Sequence, residues 1–305
     1  MTPDLKVKLG SVELNNPIMT ASGCCGYGEE LAQAFPLSRL GALVTKSITR
    51  EPRLGHPSPR TVEAASGMLN AIGLANVGLD CFISDKVPFL EKQDTTIVVN
   101  VAGSSIGDYV EVCARLNDVP RVDMIEVNIS CPNVKEGGIE IGTDPTMTEK
   151  TIAEVRRVFS RPIIAKLTPN VTDISVVARA AEAGGADILS LINTLVGTSI
   201  DFNTWRPRLT NNRGGLSGPA IKPVALAAVD RVYQSTNLPL IGIGGIASAM
   251  DVVEFMLVGA TAVQIGTSLF KDPQGPVNIV RDLKEYLKQR NLSSVTKLIG
   301  QVRKY

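Results

Sequence analysis

The sequence predicts an α/β fold: a (β/α)8 TIM barrel with an N-terminal β-hairpin and inserted loops over its C-terminal mouth. Three observations carry this. Eight short β-branched runs follow one another along 305 residues, many are separated by segments of helical period, and each ends at a small or polar residue. Strands apolar on both faces, alternating with helices, make a parallel sheet covered by helices. Eight such units in a chain of roughly 250–300 residues close into a barrel. The runs span 17–20, 42–45, 96–101, 124–129, 163–167, 188–192, 240–243 and 262–265; the helical segments span 29–35, 148–159, 174–183, 223–235 and 249–258, with 276–290 as the closing helix. A doubly wound open sheet would want Gly-x-Gly-x-x-Gly in the first βα turn, which Ser22-Gly23-Cys24-Cys25-Gly26 does not supply.

Residues 6–14, with Gly10-Ser11 at the turn, read as a hairpin plugging the barrel bottom. The intervals 47–95 and 193–239 are too long for one helix each and carry Gly, Pro and Asn clusters, so they are expected to cover the mouth where binding occurs. There is no linker, low-complexity tract or domain-scale repeat, and residues 1–305 read as one domain.

Composition narrows the function. Thirty-one Lys+Arg against 30 Asp+Glu give a net charge of +1, which argues against nucleic acid or an anionic membrane as the main partner. No apolar run approaches the roughly 20 residues of a membrane span, and the first residues lack a signal-peptide pattern, so a cytoplasmic protein is expected. Cys24, Cys25, Cys81, Cys113 and Cys131 are an odd set without C-x-x-C spacing, so neither a disulfide framework nor a metal or iron–sulfur site is expected of this chain. His56, the only histidine, lies in Gly-His-Pro-Ser-Pro and reads as a loop residue or a contact made from a lid.

A polar or glycine residue follows each predicted strand: Ser22, Lys46, Asn100, Asn128, Lys166, Asn193, Gly244-Gly245 and Gly266-Thr267. Loops after strands seven and eight of such barrels commonly hold a phosphate on backbone N–H groups, and the last two pairs suit that use. Lys46 and Lys166 fit a Schiff-base aldolase or an electrostatic role beside a flavin. Asn70, Asn100, Asn128 and Asn193 suit a planar ligand bearing carbonyl, amide and carboxylate groups. Cys24, Cys81 and Cys113 read as inert core thiols. Cys131 differs: it follows strand four and opens a loop containing Pro132, Gly137, Gly138 and Gly142, the glycines of a mobile lid.

Asn128-Ile129-Ser130-Cys131-Pro132-Asn133, with Lys46-Ser47, Asn70-Ala71-Ile72-Gly73-Leu74, Ile192-Asn193-Thr194 and the two glycine pairs, resembles dihydroorotate dehydrogenase over essentially the whole chain. Residues 128–135 running into Gly137-Gly138 and Gly142-Thr143-Asp144-Pro145, together with Arg213-Gly214-Gly215-Leu216-Ser217-Gly218, resemble the catalytic subunits of the NAD-linked class 1B enzymes. Cys24-Cys25 departs from that pattern, where threonine and an aromatic residue are expected.

The resemblance implies oxidation of dihydroorotate to orotate in pyrimidine biosynthesis. One FMN per chain would have its phosphate on Gly244, Gly245, Gly266 and Thr267, with Ser22, Lys46, Ser47, Asn100, Asn128, Lys166, Ile192 and Gly218 as further contacts. Substrate would be held by Lys46, Asn70, Ala71, Ile72, Gly73, Leu74, Asn128, Asn193 and Thr194, with Cys131 as the base at C5. It also implies a homodimer core with a partner subunit carrying FAD and an iron–sulfur cluster, a heterotetramer passing electrons to NAD+. The alternatives are a class 1A-like enzyme reducing fumarate, a dihydropyrimidine dehydrogenase-like enzyme, a flavin-free Schiff-base aldolase and a non-catalytic binding module.

Overall fold

The structure, a computed structural model, describes residues 2–130, 135–136, 139–303 and 305. Eight parallel strands close into a barrel: β1 (Ile18–Thr20), β2 (Ala42–Val44), β3 (Thr96–Val101), β4 (Met124–Asn128), β5 (Ile163–Lys166), β6 (Ile188–Leu191), β7 (Leu240–Ile243) and β8 (Ala260–Ile265). Each strand pairs with its sequence neighbours, and β8 returns to β1 with Val263, Gln264 and Ile265 opposite Ile18, Met19 and Thr20. Both faces of these strands are buried, inward by the barrel filling and outward by helices, which is why they read as continuous apolar runs rather than alternating ones.

Four of the covering helices begin at caps written in the sequence. Ser105 caps Ile106–Asn117 and Ser248 caps Ala249–Leu257, each accepting from the N–H of the third helical residue (Asp108 and Asp251), whose carboxylate accepts from the cap N–H in return. Asp144 and Asp173 cap Pro145–Val158 and Ile174–Ala183. The closing helix Gly275–Gln289 buries Val277, Ile279, Leu283 and Leu287 along one stripe. The segment predicted as a helix over 29–35 forms only short turns, Leu31–Gln33 and Leu37–Arg39, because Pro36 stops any helix entering from residue 35.

The hairpin Val7–Leu9/Val12–Leu14 forms as expected, and its turn at Gly10 packs against Pro162, Asp187 and Ile188, at the N-terminal ends of β5 and β6. The two long intervals do more than cover the mouth separately. Thr61–Ala64 and Gly67–Asn70 from the first join Leu195–Gly197 and Gly214–Ser217 from the second in one four-stranded antiparallel sheet. Among the described residues, no helix is long and apolar enough to cross a membrane.

Candidate active site

The barrel mouth opens into a cleft of about 1170 Å³, walled by the strand ends and roofed by the inserted sheet. That is far more room than a single pyrimidine-sized molecule needs, and above the usual range for one small ligand. The predicted residues Ser22, Lys46, Ser47, Asn70, Ala71, Ile72, Gly73, Leu74, Asn128, Lys166, Ile192, Asn193, Thr194, Gly218, Gly244, Gly245, Gly266 and Thr267 all line it. Asn100 does not. It is fully buried beneath the cleft, where its Oδ1 accepts from Ser47 Oγ at 2.6 Å and its Nδ2 donates to Glu126 at 2.7 Å. Cys131, Pro132, Asn133, Gly137 and Gly138 lie outside the described residues.

One layer below the mouth sits a polar cluster that the strand-end pattern does not reveal. The Glu126 carboxylate is fully buried in β4 and accepts from four neighbours around the barrel. Asn100 Nδ2 and Lys166 Nζ (3.3 Å) reach its Oε1; Ser190 Oγ (2.9 Å) and Gln264 Nε2 (2.6 Å) reach its Oε2. Lys166, also buried, thereby has its charge partnered within the protein. A buried ion pair is tolerable only when the remaining lone pairs are satisfied, and the serine and two amides satisfy them here. Glu126, Ser190 and Gln264 interrupt otherwise apolar strands, and that interruption is the signal by which they could have been found.

The upper layer is held by shorter-range contacts. Asn193 Nδ2 donates to Asn128 Oδ1 at 3.3 Å while Asn193 Oδ1 accepts from the Thr194 N–H, so the two asparagines present their remaining amide edges together. Tyr109, rising from its helix, fixes Asn128 by donating to its backbone carbonyl at 2.8 Å. Asn70 donates to the Gly215 carbonyl across the inserted sheet. The segment from Asn70 to Leu74 then bends through positive φ at Gly73 and Leu74, and His56 buttresses it with its backbone N–H on the Ile72 carbonyl and ring Nδ1 on the Ala71 carbonyl. The histidine is thus a loop residue that props the 70–74 segment, and it also lines the cleft. Burial, with Arg60 nearby, lowers the Lys46 ammonium below its ordinary range.

On the far side, the turns after β7 and β8 meet Gly218 from the second insertion. Gly245 has φ +74°, and a Cβ there would stand 2.7 Å from Lys222 Cβ and 3.0 Å from the Gly218 carbonyl, so only glycine lets the β7 turn approach the second insertion this closely. Among the described residues, the backbone N–H groups of Gly245, Gly266 and Thr267 have no acceptor. Free donors lining one cleft beside a hydroxyl, here Thr267 Oγ1, suit a phosphate. The cleft's size, these donors, the Lys166 ammonium and a buried acceptor without a partner among the described residues, Gln264 Oε1, fit a phosphorylated planar cofactor with a smaller ligand beside it.

Three readings change. Cys81 is not a core thiol: it is only partly buried and its Sγ donates to the Asp85 carboxylate at 3.3 Å. Cys24 is not a core thiol: it lines the cleft next to Gly266. Its burial nevertheless pushes it up to about 11, and Cys25 to about 12, so neither is a ready thiolate. Gly142 is required by packing, since a Cβ would lie 2.5 Å from the Ile129 carbonyl.

The family model "Dihydroorotate dehydrogenase" matches residues 4–287. The chain is 51% identical over 301 residues, 99% of either chain, to a protein of Geotalea daltonii named "Dihydroorotate dehydrogenase B (NAD(+)), catalytic subunit". It is also 51% identical over 300 residues to a protein of the same name from Pelobacter propionicus, covering 98% of this chain and 99% of that one. Among solved structures, a dihydroorotate dehydrogenase of Eimeria tenella in complex with ferulenol superposes with a TM-score of 0.80 at 23% identity, covering 98% of this chain and 88% of that one, a likeness of fold.

Proposed function

Since the chain belongs to the dihydroorotate dehydrogenase family, we propose that it oxidises dihydroorotate to orotate as the FMN-bearing catalytic subunit of an NAD-linked enzyme. The observation that carries this reading is a single cleft joining two unlike donor sets. Free backbone N–H groups at Gly245, Gly266 and Thr267 suit a phosphate, while Lys46, Asn70, Asn128 and Asn193 suit a small anionic ring with amide edges.

FMN, when bound, supplies the acceptor for the hydride that leaves C6 of the substrate. The protein's part is to bind, orient and deprotonate. Lys46 meets the substrate carboxylate with a cation, and the paired Asn128 and Asn193 read the ring's carbonyl and N–H groups. The backbone from Asn70 to Leu74, propped by His56, closes over the ring. Lys166 offers positive charge where the cofactor's pyrimidine end becomes negative. Cys131, as thiolate, takes the C5 proton; with the C6 hydride this removes two electrons and two hydrogens and leaves the C5–C6 double bond. The thiols that compete for this role are held high by burial at Cys24, Cys25 and Cys113 and by the Asp85 hydrogen bond at Cys81.

Relatives named as catalytic subunits support a partner that carries the electrons onward. For this chain that partner is a subunit with FAD and an iron–sulfur cluster on a homodimeric core. Purification of the chain tests the reading. A yellow protein that releases one FMN per chain on denaturation, and whose flavin spectrum shifts on titration with orotate, is expected. A colourless protein that reconstitutes with neither FMN nor another flavin would contradict it.

A further inference from the structure

Gln264 lies on β8 in the floor of the cleft with 1% of its surface exposed. Its Nε2 donates to Glu126 Oε2 at 2.6 Å, while its Oε1, equally buried, has no partner among the described residues. The amide has one admissible orientation. Turning it over would set its carbonyl oxygen against a carboxylate oxygen, two acceptors at hydrogen-bond distance, and would strip Glu126 of a donor. Glu126 itself is held by Asn100, Lys166 and Ser190 from three other strands, so the direction of the Gln264 amide is set by the whole barrel floor. A buried acceptor left without a donor is costly, and the cleft is where a donor can come from.

We propose that Gln264 Oε1 accepts the ring imide N–H at the pyrimidine end of the flavin, and that Glu126 is a positioning residue that turns the amide to do so. This rests on the FMN reading above. The oxidised isoalloxazine carries one N–H, at N3. Gln264 lines the same cleft as the turns after β7 and β8, two residues before Gly266, so a cofactor with its phosphate on those turns would lie over the floor that Gln264 helps form, and the Lys166 ammonium, on the same carboxylate, marks the end where negative charge is favoured. The pair therefore selects for the imide form of the cofactor.

The test is equilibrium binding to the full chain stripped of flavin, read by flavin fluorescence, comparing FMN with 3-deaza-FMN, in which carbon replaces N3 and no imide N–H remains. The wild-type chain should prefer FMN by at least about tenfold. Gln264→Met, which keeps the bulk and removes the acceptor, should cut that preference to within about threefold. Glu126→Gln, which lets the Gln264 amide turn, should also reduce it, an effect that a merely structural role would not produce. Equal wild-type affinities for the two flavins, or a preference unchanged in both variants, would overturn this inference and leave the FMN reading standing. A wild-type chain that binds neither would overturn both.

Discussion

At the scale of single residues, the proposed chemistry rests on one thiol and one ammonium. Replacing Cys131 by Ala should leave FMN bound and slow flavin reduction by dihydroorotate by at least ~10²-fold, the usual contribution of one acid–base group. Cys131→Ser should keep a little activity that rises with pH, because a hydroxyl is the weaker acid. Anaerobic rapid mixing measures both, and wild-type rates in Cys131→Ala would move the base elsewhere. Lys46 makes a prediction in pH. Its lowered pKa, caused first by burial and then by Arg60, means that the cation is lost as pH rises through a value below the ordinary lysine range. Orotate affinity, read by the flavin spectral shift, should therefore fall on that alkaline limb. Arg60→Ala should move the limb to higher pH, since removing a positive neighbour favours the charged lysine. A limb that stays in place would break the link between the two residues. The strand-end residues were legible in the sequence because a polar residue closing an apolar strand has one direction to point. Glu126 and Gln264 show in the sequence only as polar interruptions of apolar strands; their role was not legible, because a carboxylate between Ile125 and Val127 gains its meaning only when barrel closure brings Asn100, Lys166, Ser190 and Gln264 around it.

At the scale of elements, the turn after β7 and the 70–74 segment behave as separate devices. Gly245→Val forces a β-branched residue into positive φ and against Lys222, which is itself tied to Asp251 and Glu254. Flavin content of the purified protein should drop sharply, through displacement of that turn. Retention of full flavin would place the phosphate elsewhere. His56→Ala removes one hydrogen bond from beneath the 70–74 backbone and should raise the KM for dihydroorotate by about fivefold with little change in kcat. The barrel strands were readable to within one or two residues because parallel strands buried on both faces stand out as apolar runs. The helix Ile106–Asn117 is absent from the predicted elements, although its capping box at Ser105 and its buried Tyr109, Val112, Cys113 and Leu116 spell it out. The inserted sheet was not readable: Asn70 and Gly215 pair across 145 positions, and no local pattern announces an antiparallel partner that far away.

At the scale of the whole molecule, the question is where two electrons go after leaving the substrate. The sequence has no Gly-x-Gly-x-x-Gly after a strand for a dinucleotide and no cysteine spacing for an iron–sulfur cluster. In the proposed reading the mouth residues divide between a phosphorylated cofactor and a small anionic ring. Direct reduction of NAD+ would need the same cleft to take a second large ligand in turn. A separate electron-transfer subunit removes that conflict, and relatives half identical to this chain are named as catalytic subunits. The measurement that tests this account most directly is anaerobic turnover of dihydroorotate by the purified chain alone, with NAD+, fumarate or a redox dye as the sole acceptor and orotate followed by absorbance. Orotate should accumulate with the dye and not with NAD+ or fumarate. Sustained NAD+ reduction by the single chain would contradict the account.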